Sequence, residues 1–78
     1  MPTILRIGGY RFFFYSNESN EPRHVHVQKV GMLAKFWLGP VALASNSGFP
    51  AHELSKVKGM VMTHEQCFME AWDEFFGA

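Results

Sequence analysis

Cysteine is almost missing from this chain, and the single one, Cys67, has no partner for an internal disulfide. The fold must therefore rest on packing, which suits a reducing, cytoplasmic compartment. Net charge is missing as well. Seven Lys and Arg balance seven Asp and Glu, so no overall excess of cations is available to drive phosphate binding. No apolar run approaches the roughly 18 to 20 residues of a membrane-spanning helix, and no basic stretch followed by an apolar one opens the chain. Neither a membrane span nor a signal peptide is expected. Also absent are a glycine-rich phosphate cradle, a Cys-x-x-Cys pair and a His-Glu-x-x-His helix. These gaps remove the commonest signatures of nucleotide hydrolysis, dithiol redox chemistry and zinc proteolysis.

What is present fits one small α+β domain spanning residues 1–78. A chain this short buries only about 60% of the surface it exposes when unfolded. Its eight Phe, two Tyr and two Trp are therefore its main packing resource. Thr3 to Ile7 and Tyr10 to Tyr15 are rich in β-branched and aromatic residues, and Gly8 and Gly9 between them suit a two-residue hairpin turn. Across that turn Ile7 should face Tyr10, Arg6 should face Arg11, Leu5 should face Phe12 and Ile4 should face Phe13. Ser16 to Arg23 is polar and reads as an exposed loop. His24 to Lys29 alternates strictly, and Met32 to Leu38 follows Val30 and Gly31, which predicts a second hairpin with His26 facing Lys35 and His24 facing Trp37.

The expected fold is thus a small antiparallel sheet of two hairpins, four strands in all. Pro40 and Gly48 bracket a predicted short helix over Val41 to Asn46. One long helix then starts near Pro50 and covers one sheet face through Leu54, Val57, Val61, His64, Phe68, Ala71, Trp72 and Phe75. Gly59 inside this pattern predicts a bend or a split near Thr63.

Strand alternation sorts the hairpins into two faces. Leu5, Ile7, Tyr10, Phe12, Phe14, Val25, Val27, Ala34, Phe36 and Leu38 form the apolar one. Ile4, Arg6, Arg11, Phe13, Tyr15, His24, His26, Gln28, Lys35 and Trp37 form the other, and the chemistry gathers there. His24 and His26 lie two apart on a strand, so their imidazoles project to the same side. Three readings compete for them. As a general acid/base pair they titrate near neutrality, with Arg11, Arg23 and Lys35 at hand to stabilise a phosphate or developing negative charge. As a metal site they supply two ligands where a catalytic zinc normally takes three and a structural one four, and no further Cys or His is close in sequence. As plain surface residues they are simply tolerated on a solvated strand. No metal and no cofactor is therefore assigned.

Aromatic rings among cations suit single-stranded RNA, with Tyr15, Phe13 and Trp37 stacking on bases while Arg6, Arg23 and Gln28 add polar contacts. The same mixture suits a protein interface, and the same face can equally be covered by the chain itself. Elsewhere, His64 on the helical stripe reads as a core or boundary residue, His52 as exposed, and Cys67 as a half-buried thiol. Glu70, Asp73 and Glu74 read as a solvated helix face. Charge is distributed unevenly. Arg6, Arg11, Arg23, Lys29 and Lys35 outweigh Glu18 and Glu21 in the sheet half, whereas Glu53, Glu65, Glu70, Asp73 and Glu74 outweigh Lys56 and Lys58 in the helical half.

A family pattern emerges from Pro2-Thr3-Ile4, Gly8, the run Tyr10 to Glu18, Glu21-Pro22 before His24-Val25-His26-Val27, Ala34 to Leu38, and Glu70-Ala71-Trp72. Taken together these resemble the short bacterial proteins of domain-of-unknown-function family 4160. The chain departs from that pattern at Arg23, where a second Pro is common, and at Pro50, where a Ser or Thr cap is common. The resemblance implies a partner protein encoded beside it, as in toxin–antitoxin modules, and marks His24 and His26 as the functional candidates. The resulting expectation is a toxin-like component that engages RNA through the histidine face. It would cleave RNA without a metal, with His26 or His24 as general base and Arg11 or Lys35 steadying the phosphorane. The alternative expectation is a non-catalytic module that uses this face to hold a cognate small protein or a second copy of itself.

Overall fold

The computed structural model describes residues 3–77. Five strands run in chain order as an antiparallel meander: β1 (Thr3–Ile7), β2 (Tyr10–Phe13), β3 (His24–Lys29), β4 (Met32–Trp37) and β5 (Ala42–Ser47). Two helices follow, α1 (Ala51–Thr63) and α2 (Glu65–Phe76). Among the described residues no helix is long and apolar enough to cross a membrane.

Both hairpins form where the glycines and the alternation place them. Gly8 and Gly9 take positive φ angles of 52° and 87°, the twisted two-residue turn that only glycine adopts without strain. Ile7 pairs with Tyr10, Arg6 with Arg11 and Leu5 with Phe12. A bulge between Thr3 and Leu5 then shifts the register, so Phe13 pairs with Thr3 and not with Ile4. In the second hairpin His24 pairs with Trp37, Val25 with Phe36, His26 with Lys35 and Val27 with Ala34, as alternation requires.

The core forms on the apolar face. Tyr10, Phe12, Phe14, Val25, Val27, Ala34, Phe36 and Leu38 from the sheet side close against Val57, Val61, Phe68 and Trp72 from the helices. Phe12 stacks on Phe68 at 5.2 Å, and Phe14 meets Trp72 edge-on at the same distance. Burying side chains of this size contributes on the order of 2 kcal/mol each, the main source of stability for so short a chain.

Further expectations need correction or are made sharper. Val41 to Asn46 is not a helix: Ala42–Ser47 pairs with β4 as a fifth strand. Six residues give almost no return on helix nucleation, and Ser45, Asn46 and Ser47 are poor helix formers, while pairing satisfies the open edge of β4. The C-terminal helix is two helices, divided at His64 (φ −108°, ψ 15°). The Thr63 hydroxyl donates back to the Gly59 carbonyl at 2.9 Å, which loosens the last turn of α1 at the position the glycine suggested. Phe76, not Phe75, turns inward. It packs on Trp72 at 4.1 Å, whereas Phe75 stays 46% exposed.

The loop into α1 is clipped by Asn46, whose side chain donates to the Phe49 carbonyl (3.0 Å) and accepts from the Phe49 amide (3.1 Å). Phe49 is thereby held buried against Tyr10. Tyr10 in turn donates its hydroxyl proton to Glu53 of α1 at 2.6 Å, and Lys29 lies 3.5 Å from the same carboxylate. The Tyr10 hydrogen bond, helped by Lys29, lowers the Glu53 pKa, while the same bond raises that of Tyr10. A carboxylate depressed by folding stabilises above its unfolded pKa and loses that contribution as pH falls through its folded pKa. Tyr10→Phe is therefore expected to lower stability at neutral pH but little at pH 2. Urea unfolding at the two pH values checks this, and equal loss at both would contradict it.

Val30, 89% exposed, sits at φ 55° in the turn between β3 and β4. A β-branched residue there costs about 1–2 kcal/mol. Val30→Asn should recover roughly 1 kcal/mol, seen as a rise in melting temperature of several degrees in calorimetry. An unchanged or lower melting temperature would count against that assignment.

Candidate functional site

The histidine face is closed in this structure by the loop between β2 and β3. His24 is fully buried, His26 is 6% exposed and Phe13 is 2% exposed. The loop carries Glu18, which sits beneath it and brings one carboxylate oxygen to both rings. Glu18 Oε1 lies 2.8 Å from His24 Nε2 and 2.9 Å from His26 Nε2. The two rings are nearly perpendicular, with centroids 5.2 Å apart. Strand pleat explains the convergence, since residues two apart share a side and the returning chain passes directly over them.

Hydrogen-bond accounting defines this cluster further. His24 Nδ1 lies 2.9 Å from the Pro22 carbonyl, which only accepts, so Nδ1 carries a proton. The Nε2 atoms of both rings face the same Glu18 oxygen. Burial pushes the Glu18 carboxyl up, but hydrogen bonds from His24 and His26 and the charge of the two rings outweigh it and leave its pKa lowered. Burial lowers the His26 pKa against the raising influence of Glu18, with His24 and Lys35 adding to the lowering. Glu18 Oε1 is the shared acceptor that both Nε2 atoms face. Among the described residues no buried side-chain nitrogen or oxygen lacks a hydrogen-bond partner.

Rings and cations frame the cluster. Phe13 stacks on His26 at 5.4 Å, and Tyr15 meets the same ring edge-on at 4.6 Å. Trp37 stands against His24 at 5.6 Å. His24 also reaches the edge of the core, 4.8 Å from Trp72 of α2, so it lies where the two sheet faces meet.

The cations expected to contact a phosphate are already engaged. Lys35 donates to Glu21 at 2.6 Å and lies over the Trp37 ring at 4.5 Å. Arg11 donates to Gln28 at 3.2 Å and to Thr3 at 2.9 Å, with its guanidinium 4.4 Å above Phe13. Arg23 turns away from the histidines and forms a two-pronged pair with Asp73 of α2, at 2.7 Å on each arm. Arg6 is exposed on β1. The structure therefore gathers His24, His26, Phe13, Tyr15, Trp37, Lys35, Arg11 and Gln28 on one face and leaves Arg23 and Arg6 outside the cluster.

Sequence reasoning missed Glu18, Glu21 and Asp73 as partners of these side chains, because they lie in a loop or on a helix read as solvated. The available signal was two carboxylates immediately upstream of a His-x-His strand. Of the remaining candidates, His64 is half-buried and lies 6.2 Å from Phe68, His52 is exposed, and Cys67 is exposed where a half-buried thiol was expected.

The model of the family described as a domain of unknown function, DUF4160, matches residues 9–73 of the 78. The chain belongs to the DUF4160 family. Glu18, His24, His26, Lys35 and Asp73 all fall within the matched span. No curated protein and no solved structure matches the chain. The family assignment therefore bears on descent, and the chemistry of this DUF4160 chain has to be read from its own residues.

Three acidic or basic side chains of the loop tie it down, beside the His24–Pro22 bond and the Leu38 amide on the Arg23 carbonyl. Two form ion pairs, of which Arg23–Asp73 is more than a third exposed and contributes at most about 1 kcal/mol. Glu18 is the central one. Glu18→Ala leaves two buried imidazoles without their acceptor and should cost roughly 1–3 kcal/mol. Amide exchange measured by mass spectrometry should accelerate across residues 16–23 in that variant while β3 and β4 stay protected. Unchanged protection of the loop would show that Glu18 does not hold it.

Proposed function

We propose that this DUF4160 chain is a protein-interaction module, one half of a two-protein pair of toxin–antitoxin type, and that it holds its partner by adding an extended strand of that partner to β5. The observation that carries this reading is an unguarded sheet edge. No Asp, Glu, Lys or Arg occurs from Phe36 to His52, a stretch that contains the whole of β5. Proteins usually protect an edge strand with charge, proline or a covering element. Within β5 there is no charge and no proline, only one bulge at Ala44 opposite the Lys35–Phe36 step. The opposite edge, β1, carries Arg6 and receives the Arg11 guanidinium on Thr3.

Beside the β5 edge lies a groove of about 310 Å³ lined by Phe36, Leu43, Ala51, Leu54, Ser55 and Lys58. Leu43 is 45% exposed at its mouth. Strand addition takes its affinity from main-chain hydrogen bonds and its specificity from side-chain pockets next to the edge. This groove fits one apolar side chain of the incoming strand, and Lys58 suits a carboxylate beside it. The histidine face is a weaker candidate for either partner or RNA, because its rings are covered and its cations are already paired with groups of the same chain.

The reading requires a small partner protein encoded beside this one, and co-expression of the two tests it. A complex should co-elute in size-exclusion chromatography, and Leu43→Lys with Ala42→Lys should weaken it about tenfold or more, as charge on a pairing edge does. Two results would overturn the proposal. One is association that ignores both β5 substitutions. The other is RNA cleavage by the purified chain that disappears in Lys35→Ala and Arg11→Ala, which would return the activity to the histidine face.

A further inference from the structure

We infer that Glu18, His24 and His26 form a binding site for one divalent first-row transition ion, of which zinc is the probe of choice. This inference is independent of the partner reading and rests on the geometry of the cluster. Two histidines alone fall short of a metal site, and the loop supplies the missing donor. Glu18 offers a carboxylate oxygen, each histidine offers a ring nitrogen, and these donor atoms all lie within 4.8 Å of one another. Two imidazoles and one carboxylate make a donor set known from both hydrolytic zinc and non-haem iron sites, with the remaining positions left to water.

The second layer of the site also fits. A ligating histidine characteristically donates its other ring N–H to a carbonyl or carboxylate, which fixes both tautomer and ring direction. His24 does so: Nδ1 is committed to the Pro22 carbonyl at 2.9 Å, and this turns Nε2 toward Glu18. Phe13 stacked on His26 and Trp37 set against His24 restrict ring rotation, so the donors are already oriented. Lys35, whose charge acts on His26, is neutralised by Glu21 at 2.6 Å.

Distances set the adjustment required. With metal–ligand bonds of about 2.0–2.2 Å, neighbouring donors stand roughly 2.8–3.1 Å apart in an octahedral arrangement and roughly 3.3–3.6 Å apart in a tetrahedral one. The present Glu18 separations of 2.8 and 2.9 Å already suit octahedral spacing and open by several tenths of an ångström for a tetrahedral one, while the donor span of up to 4.8 Å has to close. Glu18 rides on a loop, outside the rigid strands, and can withdraw that far without disturbing β3. The ion would replace hydrogen-bond protons at the junction of the three side chains and fasten the loop to the sheet more firmly than they do.

Titration of the purified, chelator-treated chain with zinc sulfate, followed by calorimetry and by elemental analysis after gel filtration, tests the inference. One zinc per chain is expected, together with a zinc-dependent rise in melting temperature. His26→Gln and Glu18→Gln, each checked by circular dichroism to be folded, should weaken binding about 100-fold or more and abolish the thermal shift, while His52→Ala, His64→Ala and Cys67→Ser should behave as the parent. If either Gln variant unfolds, cobalt absorption spectra of the parent decide instead. Bands of a nitrogen- and oxygen-ligated ion support the site, and a thiolate charge-transfer band places the ion at Cys67 and overturns it. Absence of stoichiometric zinc, or zinc binding that survives loss of Glu18 and His26 but not of His52, His64 or Cys67, also overturns it.

Discussion

A single carboxylate oxygen held between two imidazoles organises this molecule. Burying Glu18 with His24 and His26 carries a desolvation cost that only mutual hydrogen bonding offsets, so the three side chains are stable together and unstable apart. The consequence is structural as well as chemical. Because Glu18 belongs to the loop and the histidines belong to β3, the bond that satisfies the rings also draws residues 16–23 down over the sheet. The face that pleat directs away from the core becomes a second, polar interior, sealed by Phe13, Tyr15 and Trp37 at its sides.

Charge segregation along the chain is explained by the same closure. A basic sheet half and an acidic helical half suggest an electrically polarised surface, yet the structure brings the two together across the fold. Arg23 reaches Asp73 of α2, and Lys29 reaches Glu53 of α1. Within the sheet half, Lys35 is matched by Glu21. What the cations offer in sequence to an external phosphate is in large part spent internally. The charge-free stretch from Phe36 to His52 is what remains unpartnered, and it coincides with the open edge of the sheet.

The parts of the fold readable from sequence were those governed by short-range geometry. Gly8 and Gly9 set the first turn, strict alternation set every pair of the second hairpin, and the apolar face was right from Tyr10 to Leu38. The errors arose where tertiary contacts overrode local preference. Pro40 and Gly48 bracket a segment with plausible helix boundaries, but the unsatisfied edge of β4 recruits it as β5. Phe75 and Phe76 are interchangeable by periodicity until the split at His64 rotates α2 relative to α1 and selects Phe76 for the core. In the site, alternation found both histidines and their aromatic neighbours. It could not find Glu18, because a loop has no period from which its direction can be read.

Imidazole nitrogen and proton shifts, recorded by long-range ¹H–¹⁵N correlation on the metal-free protein, examine the central claim most directly. Protons that exchange slowly with water should be found on Nδ1 of His24 and on Nε2 of His26, the positions held by the Pro22 carbonyl and by Glu18. Rapid exchange at both sites, or a His26 ring protonated at Nδ1 alone, would mean that Glu18 does not bridge the rings and that the loop is closed by something else.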